Sequence, residues 1–143
     1  MENNGFVIAP FVVAPVNIND TSLFPDCLEH FMDFASLIGL DTRGSALTLD
    51  SGFDSEANAD RLLFHDFHPI IKPNLRGTKD EERINERLDA FDEKTYKRRF
   101  CVERTFAWED SYRKLSQRYE ILEATHNGFR FLAHAMINLR MFL

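Results

Sequence analysis

An α/β fold with a helical C-terminal half is predicted by three observations. Two short apolar runs, "SALTLD" (residues 45–50) and "HPIIKP" (residues 68–73), flank a stretch with helical spacing and its own capping residues. An earlier helical period follows "NIND" (residues 17–20), and the chain beyond Tyr96 keeps helical spacing to its end. Strand, turn, helix, strand is the order of a βαβ unit, in which the strands run parallel and functional groups gather at the strands' carboxyl ends.

Taken in order, Phe6 to Val16 is rich in Val, Ile and Phe, which favours strand, while Pro10 and Pro15 restrict it to a sheet edge or two short pieces. "NIND" then forms a turn. Thr21 or Ser22 is expected to cap a helix through about Ile38, with Leu23, Cys27, Phe31, Phe34 and Leu37 or Ile38 on its apolar face. Pro25 is placed in its first turn and Gly39 at its end. "SALTLD" reads as a buried strand that stops at Asp50, with Gly52 in the turn and Asp54 or Ser55 capping a helix through about Phe64. "HPIIKP" is the second strand, closed by Pro73. Residues 74–95, beginning "NLRGTKDEERINERLDAFDE", form a charged insert, either a loop with a helical portion or a surface arm. Val102, Phe106, Tyr112 or Arg113, Leu115, Tyr119 and Leu122 predict one long amphipathic helix, and "HNGFRFLAHAMINLRMFL" a second after Thr125.

Composition narrows the function classes. The chain's 143 residues suffice for about one domain. Its net charge of −6 argues against a uniformly basic nucleic-acid binder, so any phosphate-binding surface must be a local patch. Cys27 and Cys101 make neither a disulfide framework nor a CxxC pair, which is expected of a reducing compartment. The start "MENNGFVIAP" lacks a basic region ahead of its apolar run, and no run is long enough to span a membrane. A cytoplasmic chain without a membrane partner is expected.

Two constellations bear on chemistry. Asp50 ends a strand ahead of a glycine turn, where an aspartate by itself is read first as a capping or turn residue. In "YKRRFCVERTFAWEDSYRKLSQRYE" (residues 96–120), Glu103 lies among Lys97, Arg98, Arg99, Arg104, Arg113, Lys114 and Arg118. Such a stretch is ordinarily a solvated ion-pair face or a bundle helix. Joined in space with Asp50, Glu103 instead makes a carboxylate cluster bordered by phosphate-binding cations, the composition that metal-assisted phosphoryl transfer requires. "HDFH" sets His65 and His68 at a spacing compatible with zinc, but without a second ligand pair it is read as a helix end leading into a strand. His126 and His134 are expected to pack or solvate.

"LDSGFDS", then "YKRRFCVERTFAWEDSYRKLSQRYE", then "FLAHAMINLR", resemble in that order the C-terminal part of bacterial insertion-sequence transposases of the DDE type. The resemblance runs from "NGFVIAPFVVAPVNIND" to the last helix. It implies a single partial catalytic domain of ribonuclease H-like fold, truncated at its N-terminus. Asp50 matches the family's second acidic residue, and Tyr96, Arg99 and Glu103 match the first three positions of its Tyr-x2-Arg-x3-Glu-x6-Lys pattern. Asp110 stands where that pattern has lysine; Lys114 lies one helical turn further along.

The resemblance further implies Mg²⁺ (or Mn²⁺) held by Asp50 and Glu103, since hard divalent cations prefer oxygen ligands. Strand cleavage would use water and strand transfer a DNA 3′-hydroxyl. Tyr96, Lys97, Arg98, Arg99, Arg104, Arg113, Lys114 and Arg118 are the expected DNA contacts, with Trp108 a further packing or stacking residue. The partners are transposon-end and target DNA, and a homo-oligomer is compatible with the family. The family's first catalytic aspartate lies on a strand upstream of the segment that "NGFVIAPFVVAPV" resembles. The chain is therefore expected to be incomplete by itself, with an exposed sheet edge and poor solubility or self-association. The alternatives are a noncatalytic remnant that binds DNA or full-length transposase, and a nuclease of the same fold.

Overall fold

The computed structural model describes residues 6–8, 12, 14, 17–112, 115, 117 and 121–140. They belong to two compact units, an α/β unit within residues 9–97 and a helical unit built from residues 1–8 and 98–143.

The α/β unit begins with helix α1, Asp20–Leu37. Its N-cap is Asn19, two residues ahead of the expected threonine: the Asn19 side chain accepts the Thr21 N–H at 3.0 Å. Pro25 consequently falls beyond the first turn, inside the helix. The C-terminus closes as a Schellman motif: Leu40 N–H donates to Ala35 C=O at 2.8 Å, Gly39 N–H donates to Ser36 C=O at 3.2 Å, and Gly39 takes φ 68°. The buried stripe is Phe24, Leu28 and Ala35, rotated by about one residue from the expected face. Cys27 is exposed, as are Leu37 and Ile38 at 81% and 51%. The helix carries apolar pairs such as Leu23–Phe24 and Cys27–Leu28, and packing selects the larger or better-placed member of each.

Strand β1 (Ala46–Leu49), helix α2 (Glu56–Phe64) and strand β2 (His68–Ile71) form the expected βαβ unit. The strands pair in parallel with Ala46 opposite His68 and Leu49 opposite Ile71. Ser55 caps α2 by accepting the Asn58 N–H, and the turn into β2 uses Asp66 at φ 60°, a left-handed conformation aspartate tolerates. The core is Phe24, Leu28, Leu62 and Phe67, with Phe31, Met32, Leu47, Leu49, Phe53 and Ile71 packed around it. Helix α1 packs on α2 and on the 3₁₀ turn Ser51–Phe53, and Leu49 and Phe53 on either side of Asp50 pack against the core.

The charged insert is partly helical. Gly77 at φ 81° makes the turn that Thr78 N–H closes onto Leu75 C=O, and helix α3 (Glu81–Asp89) follows, capped by Asp80. A short helix α4 (Glu93–Tyr96) packs against both strands.

In the helical unit, α5 (Phe100–Asp110) packs on α6 (Glu123–Leu139). The long helix expected through Leu122 stops at Asp110. Ser111 turns back on the helix: its N–H and its hydroxyl both donate to Trp108 C=O, and Tyr112 N–H donates to Glu109 C=O. Such three-residue bonds tighten and end a helix. The second helix starts at Glu123, ahead of the expected point. Within Phe6–Val16, residues 6–8, 12 and 14 are not in a strand, and the remainder lies outside the described residues. Val7 is instead bound by a side chain: Asn138 Nδ2 donates to Val7 C=O at 3.0 Å and Val7 N–H donates to Asn138 Oδ1 at 2.9 Å. The two bonds reproduce what a strand neighbour would offer and satisfy the Val7 backbone without a sheet. No described helix is long and apolar enough to cross a membrane.

Candidate functional site

Asp50 leaves β1 in extended conformation, φ −81° and ψ 177°, and its Oδ1 accepts the Gly52 N–H at 3.0 Å, capping the Ser51–Phe53 turn. A Cβ added at Gly52 would stand 3.1 Å from that oxygen, so a glycine here lets the carboxylate close on the backbone. Thr21 adds a second tie, its hydroxyl donating to Gly52 C=O. Asp50 is half-buried at the carboxyl end of a parallel strand. Capping and cation ligation are compatible, because each carboxylate oxygen offers two lone pairs.

Tyr96 and Lys97 also belong to the α/β unit. Tyr96 ends α4 and packs edge-on against Phe91, ring centroids 5.1 Å apart. Lys97 pairs with Glu93 at 3.2 Å on an exposed face.

Arg98, Arg99, Glu103 and Arg104 belong to the helical unit. On α5 the buried residues Cys101, Thr105 and Glu109 recur every four positions, and Glu103 lies about half a helical turn round from Cys101, exposed. Arg104 stacks over Trp108 at 5.0 Å from the ring centroid, a cation–π contact that occupies the indole face expected for packing or stacking. Asp110, where the family pattern has lysine, is exposed. Arg113, Lys114 and Arg118 lie outside the described residues.

The carboxylate that α5 buries is Glu109. Its Oε1 accepts Arg130 Nε at 2.8 Å and its Oε2 lies 3.5 Å from His134 Nε2, both partners on α6. His134 thus packs at a charged contact. His65 is the C-cap of α2 with its ring edge-on to Phe64, and His68 opens β2, as a helix end leading into a strand requires. Among the described residues no group of three or more His, Cys, Asp or Glu side chains could hold a metal ion.

A cavity of about 580 Å³ opens in the α/β unit, lined by residues of the β2 strand, the start of α2 and the insert, including Asp54, Glu56, Arg76, Arg83 and Arg87. Asp54 organises it. Arg87 Nη2 donates to both Asp54 oxygens, at 2.8 and 2.6 Å, and Asn74 N–H donates to the same carboxylate at 2.6 Å. These arginines were legible only as part of a charged insert. The signal in "RINER" is the four-residue spacing of Arg83 and Arg87, which puts both on one face of a helix.

A family model described as the transposase DDE domain matches residues 2–138. Neither the curated proteins nor the solved structures contain a match to this chain.

Proposed function

We propose a function from the premise that the chain belongs to the transposase DDE domain family: it supplies part of the catalytic domain that cleaves and transfers DNA strands for an insertion sequence. The observation that carries the reading is Asp50, a half-buried carboxylate at the carboxyl end of a parallel βαβ strand, where α/β folds hold their ligands. The fold proposed for the complete domain is ribonuclease H-like.

Asp50 and Glu103 are the residues that would hold Mg²⁺ or Mn²⁺, and their oxygen donors suit those hard cations. When bound, the ion supplies Lewis-acid stabilisation of charge at the phosphoryl oxygens. The capping bond from Gly52 and the packing of Leu49 and Phe53 against the core on either side orient the Asp50 carboxylate before any ligand arrives. Glu103, on the exposed side of α5, presents its carboxylate away from the buried face of that helix. In this reading Lys97, Arg98 and Arg99 would neutralise backbone phosphates, with Tyr96 a further packing or stacking contact. Arg104 works with Trp108 as one stacked unit. A third carboxylate completes the site in this reading.

A second, noncatalytic reading, in which the chain binds DNA or full-length transposase, is supported by the capping bond of Asp50, a structural role that this carboxylate fills without a ligand. The discriminating experiment is divalent-metal-dependent nicking of DNA carrying the element's ends, by the chain and by a version extended upstream to an aspartate-ending strand. Nicking by the extended protein that disappears in Asp50→Ala and in Glu103→Ala supports the first reading. Nicking that survives either substitution, or fails altogether, removes it.

A further inference from the structure

We propose that Arg76, Arg83 and Arg87 form a phosphodiester subsite, which seats the DNA backbone at the end of the sheet from which Asp50 emerges. The inference rests on the DNA-processing reading for its choice of polymer, and on the cavity of the α/β unit for everything else.

Arg87 is held before any ligand binds. Its Nη2 donates to both oxygens of Asp54 and its Nη1 donates to Asn74 C=O at 3.3 Å. Asp54 is itself fixed by the Asn74 N–H, so the guanidinium, the start of α2 and the loop leaving β2 are one connected set. A side chain positioned in this way loses little rotamer freedom on binding. Arg83 lies one turn earlier on the same face of α3, and Arg76 reaches the cavity from the turn that Gly77 makes possible. Among the described residues neither the Arg76 nor the Arg83 side chain has an ion-pair partner, and both are exposed.

The charges match the ligand. Three guanidiniums face the two carboxylates Asp54 and Glu56 around the cavity, leaving one net positive charge. A phosphodiester carries one negative charge, and guanidinium forks bind phosphate oxygens in a planar, bidentate manner. The location fits as well: Pro69 and Ile71 of β2 and Ser55 at the cap of α2 line the same opening, so the cavity lies at the carboxyl end of the strand and the amino end of the helix. Asp50 precedes Asp54 by one 3₁₀ turn. A strand seated on the arginines would pass the end of the sheet to which Asp50 belongs.

The test follows the arginine Nε–Hε resonances of the full chain during titration with inorganic phosphate and, separately, with a short duplex. Duplex affinity is measured beside it as a function of salt for the wild type, the Arg76→Ala/Arg83→Ala double variant and the Arg76→Lys/Arg83→Lys double variant. The expectation is that Arg76 and Arg83 shift with both ligands. The alanine pair should weaken duplex binding about tenfold or more and lower the salt slope by about one for each arginine removed, while the lysine pair keeps most of the slope. Unchanged affinity and slope in the alanine pair overturn the subsite, as do arginine signals that stay still. Shifts with phosphate and none with duplex overturn its assignment to DNA and leave a small-anion site. Metal-dependent nicking bears on the carboxylates separately: its absence with the arginine response intact removes the catalytic reading and spares the subsite, and its presence with unaltered duplex binding does the reverse.

Discussion

In the α/β unit Leu62 is fully buried and Phe24, Leu28 and Phe67 are 3–5% exposed, closing an aromatic and aliphatic core around two strands. In the helical unit the buried face of α5 is Cys101, Thr105 and Glu109, Glu109 forms an ion pair with Arg130 of α6, and α6 itself buries Ala133 and Ile137. The buried set is apolar in the first unit, where the stabilisation is non-directional and proportional to the area removed from water, and mixed in the second, where an ion pair adds a directional contribution that depends on each partner being present. The contrast also divides the proposed site, since Asp50 belongs to the first kind of unit and Glu103 to the second.

The largest effect expected is at the apolar core. Leu62→Ala should destabilise the α/β unit by about 2–5 kcal/mol, because the lost transfer energy is joined by the cost of a cavity that fixed neighbours cannot fill. Urea unfolding with hydrogen exchange at the Leu47–Leu49 and Ile70–Ile71 amides measures it. A loss well under 1 kcal/mol would mean that the core collapses freely and the contrast between the units is not one of packing.

Glu109→Ala sharpens the other side. It removes the carboxylate that Arg130 and His134 share, and loss of a partly buried, charge-assisted contact of this kind costs about 1–3 kcal/mol. Arg130 is 31% exposed and can recover water, which points to the lower end of that range. Glu109→Gln, which keeps an acceptor for Arg130, should lose less. Exchange at the α5 and α6 amides reports the effect, and equal losses in the alanine and glutamine variants would show that charge rather than hydrogen bonding holds the pair.

The same difference governs what the sequence reveals. The βαβ unit was readable because its elements are punctuated locally: Asp50, Gly52 and Ser55 each make the bond their residue type suggests, to a neighbour two or three positions away. Parallel pairing then follows from the helical crossover. The face of α1 was misread because several apolar residues are adjacent along it, and residues distant in sequence, Leu62 and Phe67 among them, decide which of them are buried. The end of α5 was hidden for a related reason, since "FAWEDSYRKL" keeps helical periodicity across Ser111, whose turn back onto Trp108 is a choice between two local bonding patterns. Arg76, Arg83 and Arg87 were lost in the composition of a charged stretch. Their meaning depends on Asp54, a residue from the other side of β2 whose sequence role looked like a cap.

The smallest effect compares an exposed carboxylate–arginine pair with the buried one. Asp41 and Arg43, in the connection between α1 and β1, join at 2.8 Å with both side chains mostly in solvent. The Arg43 side chain, donating from Nε and Nη2, is the main cause that lowers the Asp41 pKa from 3.8 to about 2, and the Arg43 backbone N–H adds to it. A carboxylate whose pKa is depressed in the folded state contributes stability above its unfolded value, here near pH 4, and that contribution fades as the pH falls through about 2. Solvent and salt screen an exposed pair, so the midpoint of titration should move while the melting temperature hardly does. Carboxyl ¹³C titration of the wild type and Arg43→Ala tests this, with the Asp41 midpoint expected to rise toward the ordinary aspartate value in the variant. A variant midpoint still near 2 would transfer the effect to the local backbone; a large fall in melting temperature would show that this exposed pair does the structural work assigned above to the buried one.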